Sequence, residues 1–193
     1  MNPGVFVHAS GLCESNQVGD GTRVWAFAHV LAGALVGRDC NICDGAYVEG
    51  GAVVGDRVTV KNQVMIFDGV TVEDDVFLGP GVTFTNDQFP RAFVKKSGAE
   101  FDRTLVRRGA TLGAGTVVVC GVTIGEFAFA GAGAVIARDV PAHAFVVGNP
   151  ARQIGWACLC GRRLDADLVC ECSRSWRIGE SGALESRATV AVA

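Results

Sequence analysis

This chain of 193 residues lacks a long hydrophobic run, a strong excess of either charge and any long helical pattern before residue 150. No stretch approaches the roughly 20 apolar residues that cross a bilayer, and the first ten residues lack the basic start and apolar run of a signal peptide. The net charge of −3 offers no positive surface for nucleic acid or an anionic membrane. We therefore expect a cytoplasmic protein without a membrane or nucleic-acid partner.

The chain instead contains a hydrophobic residue at every sixth position from about Phe6 to Phe84. The pattern breaks after Phe84, resumes in a shifted phase at Val106 and ends near Ala142. From Val18 to Leu78, a small or apolar companion follows each of these residues by four positions. The repeated positions before and after the break are Leu12, Val18, Val24, Val30, Val36, Ile42, Val48, Val54, Val60, Ile66, Val72 and Leu78, then Leu112, Val118, Ile124, Ala130 and Ile136.

A period of six fits neither an amphipathic helix nor simple alternation, so it predicts short strands joined by tight corners. One large side chain in each hexad points inward, and three hexads form a triangular coil of eighteen residues. Such coils stack by parallel strand pairing about 4.8 Å apart. Twenty-one hexads predict a parallel β-helix of about seven coils.

The break at about 85–105 is an insertion of about sixteen residues into a fold that otherwise has minimal corners. Long loops in such a fold are where function concentrates. Asn86, Asp87 and Arg91 flank the rigid pair Phe89–Pro90. An amide, a carboxylate and a guanidinium in this arrangement can bind sugar hydroxyls, an amine and a phosphate.

Two segments after the break, 109–116 and 128–134, consist largely of glycine and alanine. Tight corners need such residues, which accounts for most of them. Small residues on consecutive coils also make a smooth channel in which a long ligand can lie against the backbone. Near residues 22–30, outward Trp25 and Phe27 favour a subunit contact.

The eight cysteines fall into two groups, four within the coils and four after them. Cys40 occupies a small-residue position and suits an apolar core. In the second group two C-x-C pairs stand twelve residues apart, which favours a structural zinc site, with free thiols or disulfides as alternatives. We predict a β-helix domain over 1–155, a cysteine-rich extension over 156–178 and a mobile tail over 179–193. The four candidate zinc ligands are Cys158, Cys160, Cys170 and Cys172.

The hexad pattern resembles that of the hexapeptide-repeat acyltransferases, whose fold is the left-handed parallel β-helix. Within that family the chain is similar to the nucleotide-linked 3-amino-sugar N-acetyltransferases. The resemblance implies an all-β homotrimer with active sites between neighbouring prisms, and acetyl-CoA as co-substrate. It covers most of residues 18–156 and is carried by the segments 22–30, 60–69, 84–91, 104–113 and 147–156.

The resemblance also implies which residues form the site. Asn86 would hold the sugar amine, with Asp87 or His29 orienting it or taking its proton, although His29 also suits a packed subunit contact. Acetyl-CoA would end at the exit turn, a V-x-G-x-P-A-[KR] motif of the family, where Arg152 and Arg138 would bind the 3′-phosphate. The expected substrate-binding residues are Arg23, Asn62, Gln63, Phe67, Asp68 and Arg91, and the expected acetyl-CoA-binding residues are Gly113, Ala114, Gly115, Ala132, Arg138, Pro150 and Arg152.

The motif T-N-D-x-[FY]-P-R, here Thr85 to Arg91, is similar to that of enzymes acting on dTDP-3-amino-3,6-dideoxyhexoses. UDP-2-acetamido-3-amino-glucuronate is the alternative substrate, and O-acyl transfer or a non-catalytic assembly role are alternative functions. A zinc carbonic anhydrase of this fold needs three histidines that meet across subunits. His8 and His29 occupy different places in their hexads, which argues against that activity.

Overall fold

The computed structural model describes residues 4–187, and short β-strands make up almost all of its secondary structure. A single turn of 3-10 helix, Gly98–Glu100, lies in the insertion. None of the helical structure within residues 4–187 is long and apolar enough to span a membrane. In chain order the strands are β1 Phe6–Val7, β2 Leu12–Cys13, β3 Arg23–Val24, β4 His29–Val30, β5 Leu35–Val36, β6 Asn41–Ile42, β7 Tyr47–Val48, β8 Val53–Val54, β9 Thr59–Val60, β10 Met65–Ile66, β11 Val70–Val72, β12 Phe77–Leu78, β13 Thr83–Phe84, β14 Thr104–Val106, β15 Thr111–Leu112, β16 Val117–Val118, β17 Thr123–Ile124, β18 Phe129–Ala130, β19 Val135–Ile136, β20 Ala144–Val147, β21 Arg152–Trp156, β22 Trp176–Ile178 and β23 Leu184–Ser186.

The strands stack in parallel into the three faces of a triangular prism. The first face contains β1, β3, β6, β9, β12, β15, β18 and β20, and the second contains β2, β4, β7, β10, β13, β16 and β19. The third contains β5, β8, β11, β14 and β17, and single bridges at Val18 and Val140 extend it at both ends. Seven complete coils and the first strand of an eighth confirm the predicted parallel β-helix.

The core is a column of inward side chains along the axis of the prism. In almost every strand from β3 to β19 the second residue of each pair is buried and the first faces outward, as the hexad pattern predicts. Burying one such side chain stabilises the fold by about 1.5–3 kcal/mol. The largest of them that are fully buried are Phe84, Ile42, Ile66, Leu78, Leu112, Ile124 and Ile136.

The register of the ladder measures the insertion directly. Asn41 pairs with Thr59, eighteen positions later, as in a regular coil. Phe77 pairs with Thr111, thirty-four positions later and therefore sixteen more than a regular coil. The chain leaves the second face after Phe84 and rejoins the third face at Thr104, so the insertion interrupts one corner without disturbing the stack.

The first coil differs from the sequence prediction. Phe6 and Leu12, predicted to point inward, are 47% and 50% exposed. Val7 pairs with Val24 and Cys13 with Val30, each seventeen positions later, so this coil is one residue short. Because side chains alternate along a strand, a slip of one residue turns the predicted inward residues outward.

The exit from the prism ends the parallel stack. β21 pairs antiparallel with β20 and covers the edge of the first face. Beyond it, β22 and β23 form an antiparallel hairpin in which Leu184 is buried, whereas the sequence predicted a tail without packing partners from 179 onward. Leu184 packs in the cluster around Trp176, so the apolar partner of this part of the tail is supplied by residues that precede it. The remainder of the predicted mobile tail, 188–193, lies outside the described residues.

Candidate active site

The edge between the first and second faces, here called the first edge, is open along the later coils. Gly81, Gly115 and Gly133 occupy successive corners with positive φ, and a Cβ at any of them would meet no atom within 4 Å. Gly113 lies at the start of its corner, where a Cβ would collide with the next coil. The first edge therefore presents bare backbone to solvent, as the predicted channel requires.

Backbone N–H groups on the first edge differ in whether they are free. The N–H of Gly115 donates to Pro80 O and that of Gly133 to Ala114 O, both at 2.8 Å. Within residues 4–187 the N–H groups of Ala114 and Ala132 have no protein acceptor, and both residues are exposed. The neighbouring N–H groups of Gly113 and Gly115 are already bonded, so the Ala114 N–H is the one left available at 113–115, and a carbonyl-binding role there stays a prediction.

Carboxylates occupy the equivalent N–H groups at other corners of the prism. Asp74 Oδ1 accepts from the Asp56 N–H at 2.8 Å, and Glu73 Oε2 accepts from the Arg108 N–H at 2.9 Å. Alanine and glycine cannot provide such an acceptor. The small side chains of the first edge therefore leave two aligned donors for an external ligand.

Arg138 and Arg152 line one cavity of about 240 Å³ at the exit end of the prism, together with Pro150. Both arginines are exposed, and within residues 4–187 Arg152 Nη1 donates to the adjacent Ala151 O alone, at 3.0 Å. Guanidinium groups suit phosphate oxygens through paired N–H donors. The structure thus brings together the two arginines predicted for one phosphate-bearing end of the ligand.

The corner between the second and third faces, here called the second edge, holds the base of the insertion. Asn86 is half-buried there, and its Nδ2 donates to Asp68 O at 3.3 Å. Its backbone O accepts from the Asp102 N–H at 2.9 Å, which closes the insertion on itself. The Asp68 N–H in turn donates to Glu49 Oε2 at 2.9 Å. The second edge therefore presents an amide, a carboxylate and backbone groups close together at the base of the insertion.

Asp87 is engaged in holding the insertion together. Lys96 Nζ lies 2.5 Å from its Oδ1, and the Phe89 N–H donates to the same oxygen at 2.9 Å. These two contacts, with the Lys96 hydrogen bond foremost, hold the pKa of Asp87 below its usual value. Its lowered basicity and its two donors suit a role in loop closure better than the predicted role in proton transfer.

The outer part of the insertion is exposed in the single chain. Phe89 and Phe93 are 77% and 84% exposed, and Arg91 is exposed with its Nη1 bonded to Pro90 O. Large aromatic side chains this exposed are typical of surfaces that meet another molecule. Arg91 therefore lies free to contact a ligand beyond the prism.

His29 lies on the outer surface of the second face, on β4. Its Nε2 is 3.5 Å from Glu14 Oε1 and has no hydrogen-bond partner within residues 4–187. Its ring packs edge-on against Tyr47, whose ring also contacts Phe67, with centroids 6.0 Å apart in both pairs. Three coils separate β4 from β13, at about 4.8 Å each, so His29 lies roughly 14 Å below the base of the insertion. The structure does not bring His29 beside Asn86 within one chain.

The other predicted substrate residues are divided between the two edges. Asn62 and Gln63 lie on the first edge below Gly81, where Asn62 Nδ2 donates to Asp44 Oδ2 at 3.3 Å. Phe67 and Asp68 lie on the second edge with Asn86. Arg23 is exposed on the first face, far along the stack from the insertion.

Sequence analysis missed four residues that shape this region. Lys96 and Asp102 close the insertion, Glu49 binds the corner below Asn86, and Tyr47 joins His29 to Phe67. Tyr47 is the only tyrosine and stands at an outward hexad position, and Lys96 is an opposite charge near Asp87. Both signals were present in the sequence, whereas the contacts of Glu49 and Asp102 depend on stacking.

The four cysteines after the prism converge. Their Sγ atoms all lie within 4.8 Å of one another, with Cys158 and Cys172 3.6 Å apart and Cys160 and Cys170 3.5 Å apart. The Arg174 backbone N–H holds the pKa of the Cys172 thiol at about 6. This cluster could hold a metal ion, and it lies outside the two edges.

A triangular parallel β-helix with an open small-residue edge and one polar insertion is the architecture of the hexapeptide-repeat acyltransferases. No protein-family model matches the chain. It is 47% identical over 178 residues to the dTDP-3-amino-3,6-dideoxy-α-D-galactopyranose 3-N-acetyltransferase of Aneurinibacillus thermoaerophilus, an alignment that covers 91% of this chain and 92% of that enzyme. The chain therefore belongs to the nucleotide-linked 3-amino-sugar N-acetyltransferases, as its motifs predicted.

Solved structures share the fold at lower identity. The UDP-N-acetylglucosamine acyltransferase of Francisella novicida has a TM-score of 0.57 at 14% identity, over 80% of this chain and 70% of that one. A hexapeptide-repeat acetyltransferase of Vibrio cholerae, complexed with acetyl-CoA, has a TM-score of 0.53 at 24% identity, over 64% of this chain and 70% of that one. The acetyltransferase domain of PglB from Neisseria gonorrhoeae, complexed with acetyl-CoA, has a TM-score of 0.50 at 24% identity over 79% of this chain, which spans 55% of that domain's length. These similarities show the fold alone.

Proposed function

We propose that this protein transfers the acetyl group of acetyl-CoA to the 3-amino group of a dTDP-linked 3-amino-3,6-dideoxyhexose. The observation that carries the proposal is the 47% identity, over nearly all of both chains, to an enzyme named for that reaction. The insertion supports it, because Asn86 and the motif around Phe89–Pro90 lie at a polar corner of the prism.

The first edge is suited to the acyl donor. An extended pantetheine arm can lie along the column of glycines, where the N–H groups of Ala114 and Ala132 await acceptors. The Ala114 N–H would then stabilise the oxyanion that develops on the thioester carbonyl. The cavity between Arg138 and Arg152 would receive the 3′-phosphate end of the donor.

The second edge is suited to the amino sugar. Asn86 can orient the amine through its side-chain oxygen, because its Nδ2 is held by Asp68 O. Arg91 at the exposed part of the insertion can contact the nucleotide phosphates. Phe67 offers an aromatic surface beside this corner, and Asn62, Gln63 and Arg23 complete the proposed substrate set.

The chemical step needs a neutral amine rather than a dedicated protein base. The amine nitrogen attacks the thioester carbonyl, the C–N bond forms, and the C–S bond then breaks. The proton lost by the ammonium passes through solvent to the departing thiolate of coenzyme A. Asp87 is already bonded to Lys96, and His29 is roughly 14 Å below the insertion, at about 4.8 Å for each coil. Positioning and oxyanion stabilisation therefore supply the catalysis.

The donor edge and the acceptor edge of one active site come from different subunits in this proposal. Ala114 and Cys120 mark the ends of one coil side, and six residues of near-extended backbone place the first and second edges roughly 15–20 Å apart. A homotrimer that sets the first edge of one copy against the second edge of its neighbour would join donor and acceptor. Outward Phe27, Phe89 and Phe93 offer apolar contacts for such an assembly.

A paired assay tests the function. Acetyl-CoA is supplied with dTDP-3-amino-3,6-dideoxygalactose or with UDP-2-acetamido-3-amino-glucuronate, and free thiol and the acetylated product are measured. Turnover of the dTDP sugar alone is expected. Turnover of the UDP sugar alone would overturn the proposed substrate, and turnover of neither would overturn the proposed activity.

Light scattering should give three times the chain mass of 20.1 kDa. Free thiols at all eight cysteines suit a cytoplasmic setting.

A further inference from the structure

We propose that Cys158, Cys160, Cys170 and Cys172 bind one structural Zn²⁺ that holds the segment after the prism against the last coil. The arrangement of the four sulfurs is the first support. A tetrahedral zinc with bonds of about 2.3 Å sets its sulfur ligands about 3.8 Å apart. Two Sγ pairs, at 3.5 and 3.6 Å, and the limit of 4.8 Å for all four fit this geometry. A disulfide needs about 2.05 Å.

The second support is a repeated backbone motif. The segments 156–164 and 168–176 have the same pattern of hydrogen bonds after a shift of twelve residues, and each carries one C-x-C pair at the same place. Two equivalent loops facing each other present four sulfurs to one point, which a single C-x-C pair cannot do. The matching bonds are Cys158 N–H to Arg162 O and Cys170 N–H to Arg174 O, Gly161 N–H to Cys158 O and Ser173 N–H to Cys170 O, and Leu164 N–H to Trp156 O and Trp176 N–H to Leu168 O.

Donors around the cluster match the charge of four thiolates. Arg174 Nη1 lies 3.3 Å from Cys172 Sγ. Zinc with four thiolates carries two negative charges, which such donors stabilise. Four ligands from the chain leave no open position, so the metal is structural rather than catalytic.

The segment has little else to hold it in place. Its apolar core contains Leu164, Trp176 and Leu184 beside two of the cysteines, which is small for an independent fold. Metal binding supplies folding free energy in such segments. The ligand chemistry therefore accounts for an ordered structure that the apolar contacts alone do not.

The segment packs on the end of the β-helix. Trp176 is buried, and its ring lies 4.9 Å from that of His143, which stacks on Phe127 at 5.3 Å. The Ala157 N–H donates to His143 O at 2.7 Å, immediately before the first cysteine of the cluster. The metal would thus fix the segment as a cap on the last coil.

Metal analysis of the full-length protein tests the proposal. The chain is produced with zinc and iron in the medium, and its metals are counted by mass spectrometry beside the variants Cys172→Ser and Cys13→Ser. Both cysteines are half-buried, but Cys13 lies in the first coil. About one zinc per chain is expected in the wild type and in Cys13→Ser, with affinity reduced more than about 100-fold in Cys172→Ser. Chelation should raise amide exchange in 156–187 and leave the central coils protected.

Three outcomes would overturn the proposal. In the first, wild-type protein takes up no zinc and gains no thermal stability when zinc is added. In the second, the protein contains iron in place of zinc. In the third, the mass of the non-reduced protein shows that four thiols have formed disulfides. If Cys172→Ser fails to fold, titration of metal-free wild type with Co²⁺ decides instead. The absorption of tetrahedral thiolate-bound cobalt is expected, and its absence would contradict a four-sulfur site.

Discussion

Replacing Asn86 by alanine separates the proposed role of this side chain from its contribution to the fold. Among the described residues, its side chain donates one hydrogen bond, a long one of 3.3 Å to Asp68 O. The bond that closes the insertion uses its backbone O and survives the substitution. One such hydrogen bond contributes about 0.5–1.5 kcal/mol. For a chain of this size the melting temperature should fall by only about 1–6 °C.

The effect on activity should be larger than the effect on stability. If Asn86 orients the sugar amine, its removal leaves a polar group of the substrate without its partner, at about 1–3 kcal/mol. Since about 1.36 kcal/mol corresponds to a factor of ten in rate, kcat/KM should fall roughly 5- to 150-fold. The KM for acetyl-CoA should change little, because the proposed contact of Asn86 is with the sugar amine and not with coenzyme A.

Steady-state kinetics with the dTDP amino sugar, combined with thermal unfolding, measures both effects. Asn16→Ala, the same change at an exposed position in the first coil, is the matched control and should retain wild-type turnover. The reasoning is refuted if Asn86→Ala keeps kcat/KM within about twofold of wild type. A loss of activity that follows a large fall in melting temperature would also refute it, since the side chain would then act through the fold.

Three further predictions concern the core, the insertion and the donor site. Ile42→Ala removes a fully buried side chain and should lower the free energy of unfolding by about 2–5 kcal/mol at fixed protein concentration. Ile178→Ala, at a side chain that is 45% exposed, should change that free energy by no more than about 0.5 kcal/mol. Equal losses for the two variants would contradict the inward column. Lys96 depresses the pKa of Asp87, so their ion pair stabilises the insertion at pH values above the usual pKa of a carboxyl, about 4, and is lost as pH falls through the depressed pKa. Proteolysis of the insertion should therefore be slow at pH 7 in wild type and fast in Lys96→Ala. An unchanged rate would argue that this ion pair does not hold the insertion together. Arg152→Ala should weaken coenzyme A binding roughly 10- to 150-fold and leave dephospho-coenzyme A unaffected in calorimetry, whereas equal loss for both ligands would place the 3′-phosphate elsewhere.

The sequence alone was enough for the architecture, because the signal is local and repeated. A hydrophobic residue at every sixth position defines an inward side, and a shifted phase at Val106 defines an insertion whose length the register confirms. The Gly81, Gly115 and Gly133 corners and the two C-x-C pairs were also visible in sequence, since each depends on residue type at a fixed spacing.

Contacts between coils were beyond the reach of the sequence. The sequence predicts Asp87 or His29 as the group that orients the amine or takes its proton, and these roles stay predictions. The structure adds that Asp87 bonds to Lys96 and that three coils separate His29 from the insertion within one chain. Partners such as Glu49 and Asp68 are set by which corner stacks on which. The hexad pattern does not specify such contacts between a side chain of one coil and the backbone of the next.

Sequence by itself determined the prism, the position of its interruption and the convergence of polar residues there, because side-chain size and spacing decide which way each residue points. Tertiary structure decided the first coil, where one missing residue turns Phe6 and Leu12 outward. It also decided which N–H groups remain free at Ala114 and Ala132, and that the chain after Trp176 folds back as a hairpin. These features depend on how distant segments pair. A shift of one residue in the register changes that pairing, and a local sequence pattern does not encode it.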